Sequence, residues 1–429
     1  MTGTPTSLVG RLPFFYGWVV VFVAAVNGSF VLGSAQFALS AFLVPMEEDL
    51  GWSSSVVFGA LAVRQLVGGL LGPVVGPWAD RPHAPRIVMP LGGLLLGLSL
   101  VTVYWVHSPV WFFLTYGLLG ALAFALINTT MWDAVTLKWF SRKRARALVW
   151  TSFGAASASM IFPLVVTFLI IGIGWRAAWL WYGVLTIVVL VPIGLLVRAR
   201  PEQYGLVPDG SPEPEPAHGA PRPQAVASIS RDEAMRMRSF WLIGGAFALT
   251  AFGINAFQAH WIPYFVEIGF SATIAASAVS VYGAANVVSR VLWGWLSTRF
   301  SIRGLIIFHT VMAGLGVGFI LTVQNLYMLY AWAIFHGVFL GSYNYLHTLL
   351  TADYYGRMHI GAIRGAWQPV AAVSRSSGPL VLGLLHGVRN AYLLPFAFTW
   401  VLWGLVTACI VLAGKPMRAR KSSDEARRP

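Results

Sequence analysis

The sequence predicts an all-α membrane protein with twelve transmembrane helices in two six-helix halves. Three observations predict it. The 429 residues are 57% hydrophobic and only 10% charged, with a mean hydropathy of +0.70, whereas a soluble domain carries about 25% charge. Charged or Gly/Pro-rich punctuation cuts the chain into twelve apolar runs, each of the roughly 20 residues that a hydrocarbon core of about 30 Å demands. The first six runs and the last six echo one another across a polar break. This composition excludes a soluble, secreted, collagenous or disordered chain, and the single cysteine, Cys409, has no partner for an internal disulfide.

The first run opens near Tyr16 and is long enough to span, with no short apolar region and small-residue cleavage site of a signal peptide. The second starts near Ser53 and closes at Gly76 to Arg81, the third starts near Ile87, and the fourth runs from about Val110 to Lys138. A basic run, Arg142 to Arg146, precedes the fifth, which starts near Ala145 and contains Pro163; the sixth starts near Arg176. Residues 1–197 therefore form an N-terminal half. Residues 198–238, rich in Pro, Ala and charge, cannot bury a core and read as a loop. The C-terminal half, 239–414, holds runs starting near Ser239, Ala272, Gly304, Leu326, Gly361 and Tyr392, and 415–429 is a basic tail. Gly76 and Arg81 recur as Gly294 and Arg299 at an offset of 218, and Pro163 recurs as Pro379 at an offset of 216, the mark of a duplicated half with a binding site between the copies. All runs are read as helices, because lipid offers backbone N–H and C=O groups no partner.

An even number of spans puts both termini on one side, and the Lys/Arg distribution selects which. The loops on the termini side, with Arg11 and the tail, hold 24 basic residues; the opposite loops hold Arg176 and Arg389 alone, next to Glu47, Glu48 and Asp49. Both termini are accordingly placed in the cytoplasm. The net charge of +14 is then topology and does not point to nucleic acid.

The sequence contains no GxxxxGK[ST], HExxH, CxxC or GxSxG, and its nine histidines lack ligand spacing, so neither an enzyme centre nor a metal or cofactor is expected. His336 and His347 read as polar packing. Ionisable groups inside spans are costly and default to function. Arg290 lies about 13 Å from the inner end of the eighth span, Arg375 about 16 Å into the eleventh and Arg64 about 18 Å from the outer end of the second. Asn286 and Tyr282 continue the Arg290 stripe at one and two turns. Opposing acid at that depth is reduced to Asp133, about 7 Å deep, which reads as structural, while Arg64 either contacts a ligand or pairs with Asp133 within the half. Three buried cations against one shallow acid leave a positive interior that calls for a visiting anion, and a guanidinium fork matches a carboxylate bidentately. Asn128, about 15 Å deep in the fourth span, either donates to that anion or bonds a neighbouring helix.

The residues Gly76-Pro77-Trp78-Ala79-Asp80-Arg81 with Arg86 resemble the G-x-x-x-D-R-x-G-R-R signature of the major facilitator superfamily, with His83 where Gly is usual and Thr298 for the acid in the second copy. Tyr16-Gly17-Trp18, Gly174-Trp175-Arg176, Arg200-Pro201-Glu202-Gln203-Tyr204-Gly205-Leu206 and Asn286-x-x-x-Arg290 are similar to its bacterial monocarboxylate-transporter and oxalate:formate-antiporter branch. The resemblance implies the twelve-helix fold of that superfamily and alternating-access transport of a small organic anion by a monomer in the bacterial inner membrane, possible partners being H⁺ or a counter-anion. It puts substrate pairing on Arg290, Asn128 on the family's fourth-span Asn, the second cation of the oxalate type on Arg375, and gating on Gly76, Asp80 and Arg81. Mammalian members carry an Asp where Asn286 stands, which argues against proton symport by that pair. A monocarboxylate is the favoured cargo. A dicarboxylate exchanged against formate, efflux of another solute and, last, a transporter-like sensor stay open.

Overall fold

The computed structural model describes residues 13–210, 229–389 and 391–414; Arg11, Arg222 and the basic tail 415–429 lie outside them. Twelve helical spans follow in order: α1 (17–50), α2 (54–80), α3 (Ala84–Val101), α4 (Pro109–Trp139), α5 (Arg144–Ile173), α6 (Trp175–Leu195), α7 (Arg238–Glu267), α8 (Ala272–Arg299), α9 (Ile302–Ile320), α10 (Leu326–Tyr355), α11 (Ile360–Arg389) and α12 (Leu393–Leu412). Eight are long and apolar enough to cross a membrane, nine with the bent α2 counted; α5, α8 and α11 complete the set, with Arg290 two-thirds along α8 and Arg375 at the middle of α11. Each helix begins within three residues of the run the sequence marks.

Several spans are broken where the sequence weakens the ladder. Alpha-helical order in α1 passes through a π turn at Gly33–Phe37, and α4 through another at Phe113–Leu119, the kind of bulge that collects at functional sites. Extended backbone at Asn128 (ψ 165°) interrupts α4 again. Small residues set the closest helix contacts, as is usual in lipid: a Cβ on Gly154 of α5 would lie 1.8 Å from the Ala25 carbonyl oxygen of α1.

One face gathers the first and last described segments, near Tyr16 and Val411, and the described parts of the polar loops. Tyr16 Oη donates to the Leu196 carbonyl at 2.6 Å, Ile229 N to the Tyr355 carbonyl at 2.9 Å, and Arg303 to the Val411 carbonyl at 2.6 Å. Asp209, in the left-handed region at φ 65°, turns its carboxylate onto the backbone N–H groups of Ser141, Arg142 and Lys143 at 2.7–3.1 Å, capping the approach to α5. On this face the halves meet, α2 against α11 and α5 against α8. At the opposite ends the ion pairs among the described residues stay within a half, Arg176 with Asp49 and His386 with Glu267.

Candidate functional site at the seam between the halves

Four residues on two helices form one polar row. Tyr282, Asn286 and Arg290 repeat every fourth residue on α8, which stacks them on one face. Asn286 Nδ2 donates to Tyr282 Oη at 3.4 Å, Gln258 Nε2 of α7 donates to the same oxygen at 3.2 Å, and Arg290 Nε and Nη2 both reach Asn286 Oδ1 at 3.4 Å. The remaining arm of Arg290 crosses the seam: Nη1 donates to the backbone carbonyl of Ser152 on α5. Arg290 is half-buried and, among the described residues, forms no ion pair. Its partners are all neutral, and the two bonds to Asn286 are long, so a planar five-donor cation is held in position without being neutralised.

Arg375 also reaches the seam. Its Nη2 donates to Gln368 Oε1 at 3.4 Å one helical stretch along α11, and Gln368 Nε2 donates to Thr130 Oγ1 of α4 at 2.7 Å. Both C-terminal arginines therefore communicate with the N-terminal half, Arg290 directly and Arg375 through a glutamine. Around Gln368, Asn128, Thr130, Gly72, Gly76 and Gly365 close on a void of about 10 Å³, room for little more than one water.

Three expectations are corrected by the geometry. Arg64 and Asp133 do not pair. Arg64 is 0% exposed and stays inside the N-terminal half, donating to Ser34 Oγ at 3.0 Å and lying 5.1 Å from the Tyr116 ring, with Nε and Nη1 lacking a partner among the described residues. Asp133 instead crosses the seam to Arg364 of α11 at 2.8 Å and accepts from Thr348 Oγ1 of α10 at 3.1 Å. Arg364 and Lys138, counted above among loop charges, lie inside helices and are 2% and 1% exposed. Asn128 bonds within α4 and not to a neighbouring helix: Oδ1 accepts from Thr130 N at 2.9 Å and Met131 N at 3.3 Å, capping the restarted helix, while one Nδ2 hydrogen goes to the Ala125 carbonyl at 3.2 Å.

A family model described as Major Facilitator Superfamily matches residues 25–277 and 241–429. The chain belongs to the major facilitator superfamily. Among curated relatives it is 25% identical to monocarboxylate transporter 12-B of Danio rerio over 406 residues, covering 89% of this chain and 83% of that one. It is 23% identical to monocarboxylate transporter 13 of Rattus norvegicus over 406 residues, with 93% and 87% covered, and 27% identical to an MFS-type transporter of Gibberella moniliformis over 408 residues, with 93% and 90% covered. The solved structure of the proton:xylose symporter XylE bound to 6-bromo-6-deoxy-D-glucose superposes with a TM-score of 0.67 at 14% identity, covering 93% of this chain and 94% of that one, and so shares the fold. Family and fold are those of transporters of small solutes.

The superfamily signature then has a physical reading. Asp80 accepts from the Ala362 and Gly361 backbone N–H groups at 2.9 and 3.4 Å, where the first turn of α11 leaves donors free and its dipole favours an anion. Lys138 Nζ lies 2.9 Å from the same carboxylate and donates to the Ala79 carbonyl at 2.5 Å. Gly76 permits this approach, since a Cβ there would meet the Gly361 oxygen at 2.6 Å. Arg81 is exposed. Arg357 extends the junction, donating to the Lys138 carbonyl at 2.6 Å and pairing with Glu202 at 2.7 Å. Sequence reasoning missed Gln258, Gln368, Lys138 and Arg364; a search for every polar side chain within the runs would have found the two glutamines.

Proposed function

We propose that this chain is a secondary transporter of a small organic carboxylate working by alternating access, with a monocarboxylate of the lactate or pyruvate type as cargo and Arg290 as its anchor. The observation that carries the reading is Arg290: a half-buried guanidinium, without an acid among the described residues, held by Asn286 and joined across the seam to Ser152. An uncompensated cation at that depth is costly, and a carboxylate would neutralise it with charge-assisted bonds. The relatives named as monocarboxylate transporters support the same class of cargo. With Asn286 in the row, coupling runs through exchange or through another group than a carboxylate beside the arginine. Counterflow in proteoliposomes loaded with lactate, pyruvate, oxalate, formate or acetate tests it. Uptake of a carboxylate that Arg290→Gln abolishes is expected; equal uptake by wild type and Arg290→Gln overturns the reading.

A dicarboxylate exchanger is the second reading, favoured by Arg375, whose one named partner is Gln368. Oxalate outcompeting every monocarboxylate in the same assay would establish it.

We further propose that both termini and the loop 198–238 face the cytoplasm of a bacterial inner membrane, that residues 1–197 and 239–414 move as the two halves, and that the monomer is the working unit. Reporter fusions after Asp209 and after Pro429 should both read cytoplasmic, and a periplasmic signal at either overturns the orientation.

A further inference from the structure

The duplicated signature is used twice in the fold but completed only once. In the first copy Gly76 closes on Gly361, and the acid Asp80 fills the space at the start of α11. In the second copy Gly294 closes in the same way on Val149 of α5, where a Cβ would lie 2.6 Å from Val149 Cγ2, but the residue at the position of Asp80 is Thr298, whose hydroxyl turns back to the Trp295 carbonyl at 2.7 Å. Here a cleft of about 640 Å³ opens between the halves. Arg142, just before α5, and Arg144, its first residue, form one wall; Ser297 and Thr298 of α8, Ser301 of the turn and Arg303 of α9 form the other. Asp353 is its acid, 3.9 Å from Arg144 with both side chains 31% exposed, a separation at which little energy is gained.

We propose that this cleft binds the phosphate headgroup of an anionic phospholipid, which supplies from outside the negative charge that Asp80 supplies in the first copy. Three arginines and four serine or threonine residues line it against one carboxylate, and guanidinia match phosphate oxygens through paired donors. Lipid, and not a free phosphate, is the occupant because the lining residue Phe300 is apolar and 59% exposed, and Trp295, whose carbonyl takes the Thr298 hydroxyl, is 53% exposed with Arg299 stacked 5.3 Å over it. Tryptophan and arginine at one level mark a membrane–water interface, and anionic headgroups attract basic residues there. Because the two walls come from opposite halves, a headgroup bonded to both holds α5 to α8 and keeps this face closed.

The test uses the full-length purified chain in phosphatidylcholine nanodiscs, with and without phosphatidylglycerol, and reads lipid binding by native mass spectrometry together with the melting temperature. Saturable retention of phosphatidylglycerol and a higher melting temperature are expected. Retention should weaken about tenfold in Arg144→Gln, the loss of one charge-assisted contact. Thr298→Asp, which restores the acid of the first copy, should abolish both effects while melting in phosphatidylcholine alone at or above the wild-type temperature. That variant keeps the test decisive should Arg144→Gln fold poorly. Phosphatidylglycerol that binds and stabilises Thr298→Asp as it does wild type overturns the site. Equal stabilisation by millimolar inorganic phosphate without the lipid overturns the assignment to a headgroup.

Discussion

At the scale of single residues, the guanidinium of Arg290 makes a demand that a lysine cannot meet. Its Nε and Nη2 share the Asn286 oxygen and its Nη1 takes the Ser152 carbonyl, so the plane of the fork is fixed by two helices before any anion arrives. A lysine keeps the charge but offers a point donor without that plane. Each charge-assisted bond is worth about 1.5–3 kcal/mol, so Arg290→Lys should lower carboxylate affinity by about ten- to a hundredfold, with Arg290→Gln lower still, measured as half-saturation in counterflow. Arg375→Gln should weaken a dicarboxylate by a similar factor and a monocarboxylate little; equal loss for both would assign Arg375 to the protein's own packing around Gln368. The Arg290 row was legible in the sequence because its residues repeat every fourth position around a charge that hydrocarbon does not tolerate. Arg364 and Lys138 were not, because a cation within five residues of a helix end reads as a loop charge under any topology count. The partner of Asp133 was hidden for a different reason: Arg364 is 231 positions away, and only the packing of the two halves brings it within reach.

At the scale of elements, helix contacts are set where side chains are absent and where helix ends meet charge. The α1–α5 contact depends on Gly154, which presses on the Ala25 backbone. Backbone cannot yield as a flexible side chain does, and overpacking costs about 1–3 kcal/mol or more. Gly154→Val is therefore expected to lower the melting temperature in detergent by several degrees, and an unchanged value would show that α1 and α5 can part freely. The α2–α11 contact is electrostatic. Asp80→Asn keeps an oxygen for the Ala362 N–H but removes the charge that faces both the helix dipole and Lys138, leaving a lysine 1% exposed without its counter-ion. Turnover should fall more than affinity, because the substrate row on α8 is untouched; a variant with wild-type turnover and weakened affinity would deny the junction a role in movement. Helix number and order followed from the spacing of apolar runs, since lipid imposes both length and hydrogen bonding. The interruption of α4 did not, because Asn128 within an apolar run gives no sign of whether its amide will cap a helix or meet a ligand, and the structure uses it as a cap.

At the scale of the whole molecule, closure of the termini face is a balance between charges held by opposite halves. Arg364 belongs to one half and Asp133 to the other; they meet at 2.8 Å with side chains 3% and 18% exposed, and separation of the halves at this face would return both to water. Removing one partner leaves the other buried and uncompensated, a penalty of about 3–5 kcal/mol that opening relieves. Asp133→Asn and Arg364→Gln should each shift the population toward the form open at this face. The shift reaches from about a hundredfold to a few thousandfold, less whatever Lys138 with Asp80 and Arg357 with Glu202 continue to hold. The double variant leaves neutral amides on both sides and no stranded charge, so it should return most of the way to wild type, a coupling that independent sites would not show. Spin labels at His83, which is exposed beside α2, and His359, at the start of α11, report the separation directly. Longer distances in each single variant and a recovered distance in the double are expected. A double variant as open as the singles would mean that the ion pair itself, and not the relief of a stranded charge, closes the face, and unchanged single variants would transfer that role to Asp80 and Lys138.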